Sequence, residues 1–274
     1  MATVKQPAHN ASTVTVPTST MTETIENAGV VQKAATPVPE LHPQWHSLDL
    51  AALLAQPTAF LSISQNNSLY SPKGAQARER QWERPTLENT VKVAVAARRA
   101  GAKFFWIGYD VFRQSYPKTS LDEAQYRTWY EPYKHWSDEQ KRWDGELVDE
   151  LKALQQPEDV TFFETAHQSS FIGTTLPFYL SRWGIRTLVI TGIHLDWCIE
   201  GNARAARDHG LNPIVIGDAA ACQHQEDEPA ALRRINTFFA PVISADTSVR
   251  LLDRAIALRA ARSPQASLEI TAKP

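Results

Sequence analysis

Thr187-Leu-Val-Ile-Thr-Gly-Ile-His-Leu-Asp-Trp-Cys-Ile-Glu-Gly-Asn-Ala-Arg-Ala-Ala206 decides the reading of this chain. Five residues of strand character lead into a glycine-containing turn, and helix-forming residues follow. The spacing predicts a buried strand over 187–191, a tight turn, and a helix running to Gly210 with Cys198 near its start. The N-terminal end of a helix carries about half a positive charge and unpaired N–H groups. Both favour a thiolate, so Cys198 is expected to have a lowered pKa and to be a candidate nucleophile. The alternative is a cysteine that only packs, since cysteine is among the most buried residue types.

Outward from this stretch the same alternation repeats. Thr58–Ile63, Lys103–Gly108, Val160–Phe163 and Pro213–Gly217 read as strands, and Val242-Ile243 as a last short one. Helical patterns are expected over Leu87–Arg99, Trp143–Leu154, Gly173–Trp183 and Glu228–Phe239. The strands are almost continuously apolar, as expected where helices cover both faces of a parallel sheet. The fold class is therefore α/β, a three-layer sandwich around a mostly parallel central sheet. Ligands of such sheets sit beyond the carboxyl ends of the strands, the edge where Cys198 lies. Residues 1–40 lack sustained periodicity and are expected to be a disordered leader, with 41–274 as one α/β domain.

Bulk properties narrow the function. A formal charge of -2 over 274 residues gives no electrostatic footprint for nucleic acid or an anionic membrane. No apolar run approaches the roughly 18 residues of a membrane span. Two cysteines make no disulfide framework, so a reducing, cytoplasmic setting is expected. No metal-ligand spacing and no glycine-rich phosphate loop is present, so neither metal nor cofactor is expected.

Four stretches carry a family resemblance. These are Thr58-Ala-Phe-Leu-Ser-Ile-Ser-Gln-Asn-Asn67, Ser169-Ser-Phe-Ile-Gly-Thr-Thr-Leu176, Gly184 through Glu200, and Asp218-Ala219. Together they make the chain resemble the isochorismatase-like cysteine hydrolases, among them nicotinamidases, carbamoylsarcosine amidohydrolases and ureidoacrylate amidohydrolases. The resemblance implies attack by a Cys198 thiolate on the carbonyl of a small amide or ureide. It implies an oxyanion hole from the backbone N–H groups of His194 and Cys198, with a cis bond between Ile193 and His194. It also implies a homo-oligomer. The family's acid and lysine would fall on Ser64 and Thr165, neither of which holds a charge at neutral pH.

Replacement groups are therefore of interest. His167 shares the side-chain direction of Thr165 if the strand continues, and histidine is a natural general base. Glu164 would serve only through a bulge, and Asp110 lies at the same sheet edge. Asp196 looks structural. The segment from Tyr109 to Trp143 is aromatic and would overhang the pocket or form a subunit contact. Phe112, Arg113, Trp129, His167 and Phe171 are the expected substrate-binding residues. Three readings stay open: a cysteine hydrolase of a C–N bond, a catalytically impaired member that binds a ligand or partner, and a non-thiol enol ether hydrolase.

Overall fold

The computed structural model describes residues 35–112, 117–163 and 168–262. The strands are β1 (Thr58–Ile63), β2 (Lys103–Ile107), β3 (Val160–Phe162), β4 (Thr187–Ile193), β5 (Asn212–Ala221) and β6 (Val242–Ile243). The helices are α1 (Leu50–Leu54), α2 (Asn67–Tyr70), α3 (Thr86–Arg99), α4 (Ser120–Trp129), α5 (Asp138–Gly145), α6 (Asp149–Lys152), α7 (Leu176–Arg182), α8 (Glu200–Asp208), α9 (Glu228–Phe238) and α10 (Ala245–Ala261). Every strand pairing is parallel, in the order β3-β2-β1-β4-β5-β6.

All residues of β1 and of β4 are buried, because both faces of the sheet are covered. Alternation along each strand sorts the side chains between two layers. Phe60, Val189 and Ile193 join a core with Leu54 of α1, Val93, Ala94 and Ala97 of α3 and Leu252 of α10. Ala59, Leu61, Ile63, Leu188 and Ile190 join the opposite core with Leu180 of α7, Ala203 of α8 and Leu232 and Ile235 of α9. This is the expected three-layer sandwich. Gly101, at φ +71°, follows the end of α3 as anticipated.

Chain order reverses between β1 and β4. From β1 the sheet grows through β2 and β3 on one side, and through β4, β5 and β6 on the other. The two crossovers therefore leave the carboxyl ends of β1 and β4 in opposite directions, which opens a crevice between them.

One expectation differs from the structure, and two features go beyond what was expected. The helix expected over Trp143–Leu154 is split into α5 and α6. The backbone between them leaves the helix to hold the β1 exit loop: Asn67 N–H donates to Glu146 O at 2.9 Å, Val148 N–H donates to Gln65 O at 3.2 Å, and Leu147 bridges Asn66. Helix α10 is an addition, capped by Ser244, whose side chain accepts the Thr247 N–H. Residues 35–40 belong to the stretch read as leader, yet the Thr36 hydroxyl donates to Glu228, and Val38 packs on the α9 core.

The β1 exit loop rests on buried acid groups. Asp144 Oδ1 accepts the Ala75 N–H at 2.8 Å, and Asp110 is buried against Gly145, where a Cβ would lie 2.2 Å from Asp110 Oδ2. Burial pushes the Asp144 carboxyl up to about 6, and the neighbouring Asp110 adds to the rise. The folded state thus binds this proton more tightly than the unfolded chain. Stability conferred on the protonated form is complete below the ordinary carboxylate range and is lost as pH rises towards and through about 6. Asp144→Asn keeps the acceptor for Ala75 and removes the buried charge. It is expected to raise Tm at pH 8 by about 2–6 °C and to change it little at pH 4, as read by thermal melts at the two pH values.

Candidate active site

The crevice between β1 and β4 is closed above by α4 into a pocket of about 870 Å³ of space, open mouth included. Ser64 at the end of β1, His194, Trp197 and Cys198 after β4, and Glu79 from the β1 exit segment line its floor. Helix α4 buries no residue fully but turns Asp122, Gln125, Tyr126 and Trp129 onto the cavity. Their i, i+3, i+4, i+7 spacing is one face of a helix. A reciprocal capping box between Thr119 and Asp122 fixes its start.

Gly192 makes the turn after β4 feasible. Its φ is +117°, and a Cβ there would lie 2.0 Å from Ile63 O. The β4 backbone can therefore run against the end of β1 only without a side chain at this position. The Ile193–His194 bond that follows is cis. Ser64, facing it, has φ +54°, and its N–H donates to Ile107 O at 2.7 Å.

Cys198 does not start an α-helix. Leu195–Ile199 forms one π-helical turn, and α8 begins at Glu200. Such turns insert an extra residue and recur at functional sites. Asn202 Nδ2 donates to Cys198 O at 2.8 Å and to Gln168 O at 3.2 Å, which ties the turn to the loop before α7.

Burial works against the expected lowered thiol pKa. Burial pushes the Cys198 thiol up to about 12, and the Asp196 charge adds to it. The His194 backbone N–H, directed at the sulfur, works the other way but does not compensate. On this balance the Cys198 side chain favours its neutral thiol form. A dry wall costs the ion more than the end of a short turn returns.

The structure brings Cys198, His194, Ser64 and Trp129 around one cavity. It places two other expected residues elsewhere. Phe112 is a layer behind, its ring 5.6 Å from Tyr130 and 6.4 Å from Trp136. Phe171 is buried in the α7–α9 core with its ring 4.8 Å from His209, because apolar burial claims it. Thr165, His167, Glu164 and Arg113 lie outside the described residues. Asp110 is buried rather than lining the cavity. Asp196 hydrogen-bonds Cys222.

Sequence reasoning missed Glu79. Its side chain is 4% exposed, and Oε2 accepts from His194 Nε2 at 2.6 Å and from Gln81 Nε2 at 3.2 Å. Lys118 was missed too. Among the described lining residues it is the Lys or Arg at the cavity, 4.3 Å above the Tyr126 ring. Among the described residues no group of three or more His, Cys, Asp or Glu could hold a metal ion, and no helix is long and apolar enough to cross a membrane.

The family model for the isochorismatase domain matches residues 58–247, which takes in β1, the exit segment, the lid and the Cys198 turn. The chain belongs to the isochorismatase family. Over 101 residues it is 40% identical to the ureidoacrylate amidohydrolase RutB of Methylorubrum extorquens, a match covering 35% of this chain and 38% of that protein. The match thus spans well under half of that curated relative. Among solved structures, a cysteine hydrolase from Pseudomonas syringae superposes with a TM-score of 0.60 at 19% identity, covering 74% of this chain and 94% of that one. An N-carbamoylsarcosine amidase from Thermoplasma acidophilum gives 0.51 at 24% identity, covering 69% and 97%. At these identities the structures share the isochorismatase fold.

Proposed function

We propose that the protein is a cysteine-dependent hydrolase of a small-molecule amide or ureide. The observation that carries this reading is the convergence of Cys198, the His194 N–H and a carboxylate–histidine pair on one cavity at the switch point of the sheet. Cys198 sulfur attacks the carbonyl carbon. The developing oxyanion falls to the backbone N–H groups of His194 and Cys198. The amine or ammonia leaves, and water then cleaves the thioester. The wall of Trp129, Trp197 and Tyr126 suits a flat substrate, and Lys118 offers a cation to a carboxylate on it. A reducing compartment would keep the thiol competent.

A second reading, a ligand-binding member without turnover, is favoured by two features: burial raises the Cys198 thiol pKa, and Ser64 carries no charge. One experiment separates the two. Ammonia or amine release is measured across a panel of N-carbamoyl and primary amides with and without a carboxylate, beginning with ureidoacrylate. Turnover of a carboxylate-bearing member is expected, with KM about 10-fold higher in Lys118→Met, the loss of one ion pair in a partly dry site. Saturable binding across the panel with no product would establish the binding reading.

A further inference from the structure

A hydrolase at this site faces a proton problem. The Cys198 proton must go somewhere as sulfur attacks, and Ser64 cannot hold it. Two carboxylates line the cavity among the described residues, Glu79 and Asp122. Asp122 is occupied at the start of the lid, where Oδ2 accepts from Thr119 N at 2.7 Å and from Thr119 Oγ1 at 2.9 Å. Glu79 is different. It is buried, lines the same cavity as Cys198, and binds the ring of the very residue whose backbone N–H meets the sulfur.

We propose that His194 is the proton carrier of the reaction and that Glu79 positions it and holds its charged form, in place of the acid and lysine that Ser64 and Thr165 cannot supply. This rests on the cysteine-hydrolase reading above. Two donors, His194 Nε2 and Gln81 Nε2, converge on Glu79 Oε2, as they do on an ionised carboxylate. Nε2 therefore carries the hydrogen, and Nδ1 carries the lone pair. The arrangement is rigid. Glu79 ends a 3₁₀ turn begun at Ala77, and Gln81 is itself fixed by donating to Cys222 O at 3.0 Å. The His194 ring stacks on Trp197 with centroids 6.0 Å apart and planes 20° from parallel. A base held by a third group is the arrangement that activated nucleophiles need.

The proton count closes. As the S–C bond forms, the thiol proton passes through cavity water to Nδ1, and Glu79 faces the resulting imidazolium. As the C–N bond breaks, Nδ1 returns that proton to the leaving nitrogen. In the second half Nδ1 takes a proton from water as its oxygen attacks the thioester. The C–S bond then breaks, and the departing sulfur receives the proton.

The second half can be isolated with p-nitrophenyl acetate, which acetylates a reactive cysteine and leaves a thioester whose hydrolysis needs a base. Acetyl-Cys198 is followed by peptide mass spectrometry in the full-length wild type, Glu79→Gln, Glu79→Asp and His194→Ala, with Cys198→Ala as baseline. Cys198 is loaded at raised pH with long incubation, because loading itself should slow in His194→Ala, and hydrolysis of the acetyl group is then followed at neutral pH in every variant that keeps the cysteine. Its hydrolysis should slow about 100-fold in His194→Ala and recover on adding free imidazole. Glu79→Gln should slow it about 10-fold, with Glu79→Asp between that and wild type. Wild-type hydrolysis rates in His194→Ala, or a slow variant that imidazole does not rescue, would overturn the proton-carrier role while leaving the cysteine-hydrolase reading standing. Failure of wild-type Cys198 to acetylate would overturn both.

Discussion

Replacing Cys198 with serine is expected to lower turnover of the true substrate by at least about 10³-fold, with no change in fold. The side chain is nearly isosteric, and the bonds that hold the turn run through backbone. Asn202 binds the Cys198 carbonyl, and the Trp197 and Ile199 N–H groups bind His194 O at 3.1 and 2.9 Å. What is lost is the nucleophile. A serine hydroxyl is far harder to ionise than a thiol, and this dry wall penalises the anion further. The same wall governs the wild-type thiol at rest. With Cys198 held up at about 12, its iodoacetamide labelling should be slow at pH 7.5 and should climb with pH through 10 without a plateau. A plateau below pH 8 would show a resting thiolate and contradict the raised thiol pKa. Slow labelling and fast turnover are compatible, because the proton has to leave only when a carbonyl is in place to receive the sulfur.

The strands and the Cys198 turn were legible because both are written in contiguous residues. An unbroken apolar run such as Thr187–Ile190 has no soluble face, so it could only be a strand covered on both sides. Gly192 and Cys198 sit at a fixed short distance from it. The charge state of Cys198 was not legible. It depends on how far the thiol is desolvated and on the Asp196 charge, which the tertiary packing around the π turn decides. Glu79 was hidden for a different reason. It lies in Gln76–Arg84, a polar stretch with two 3₁₀ turns and no helical or strand period. Its burial comes from contacts remote in sequence: Gln76 Nε2 to Trp129 O, Gln81 Nε2 to Cys222 O, and Arg84 to Glu228. A buried carboxylate whose partner is 115 residues away leaves no local signature. The lid lay between these cases. Its aromatic content was visible, and its inward stripe of Asp122, Gln125, Tyr126 and Trp129 has helical spacing. Which of the aromatics would face the pocket depended on where Thr119 capped the helix.

Gly192→Ala is expected to cost at least about 3 kcal/mol of stability, a fall in Tm of about 6–12 °C, read by thermal or urea unfolding. Two penalties combine there. The backbone is at φ +117°, which side-chain-bearing residues rarely adopt, and the new Cβ would meet Ile63 O, N and C at 2.0, 2.7 and 2.8 Å. These are backbone atoms of the central strand, so no side chain can swing aside to make room. Gly173 separates the two terms. It is also left-handed, at φ +72°, but a Cβ added there would meet no atom within 4 Å, so Gly173→Ala should cost only about 1 kcal/mol. The difference between the two variants reports the clash with Ile63 together with the extra backbone cost of φ +117° over φ +72°. The position of the clash makes a second, functional prediction. Relief can come only by separating the end of β1 from the turn after β4, and that moves Ser64 away from His194 and Cys198. Whatever fraction of Gly192→Ala folds should therefore lose activity per folded molecule, whereas folded Gly173→Ala should keep it. Equal stability losses in the two variants would mean that β4 does not run this tightly against Ile63, and the crevice that holds the cysteine would have to be wider than the register between these strands allows.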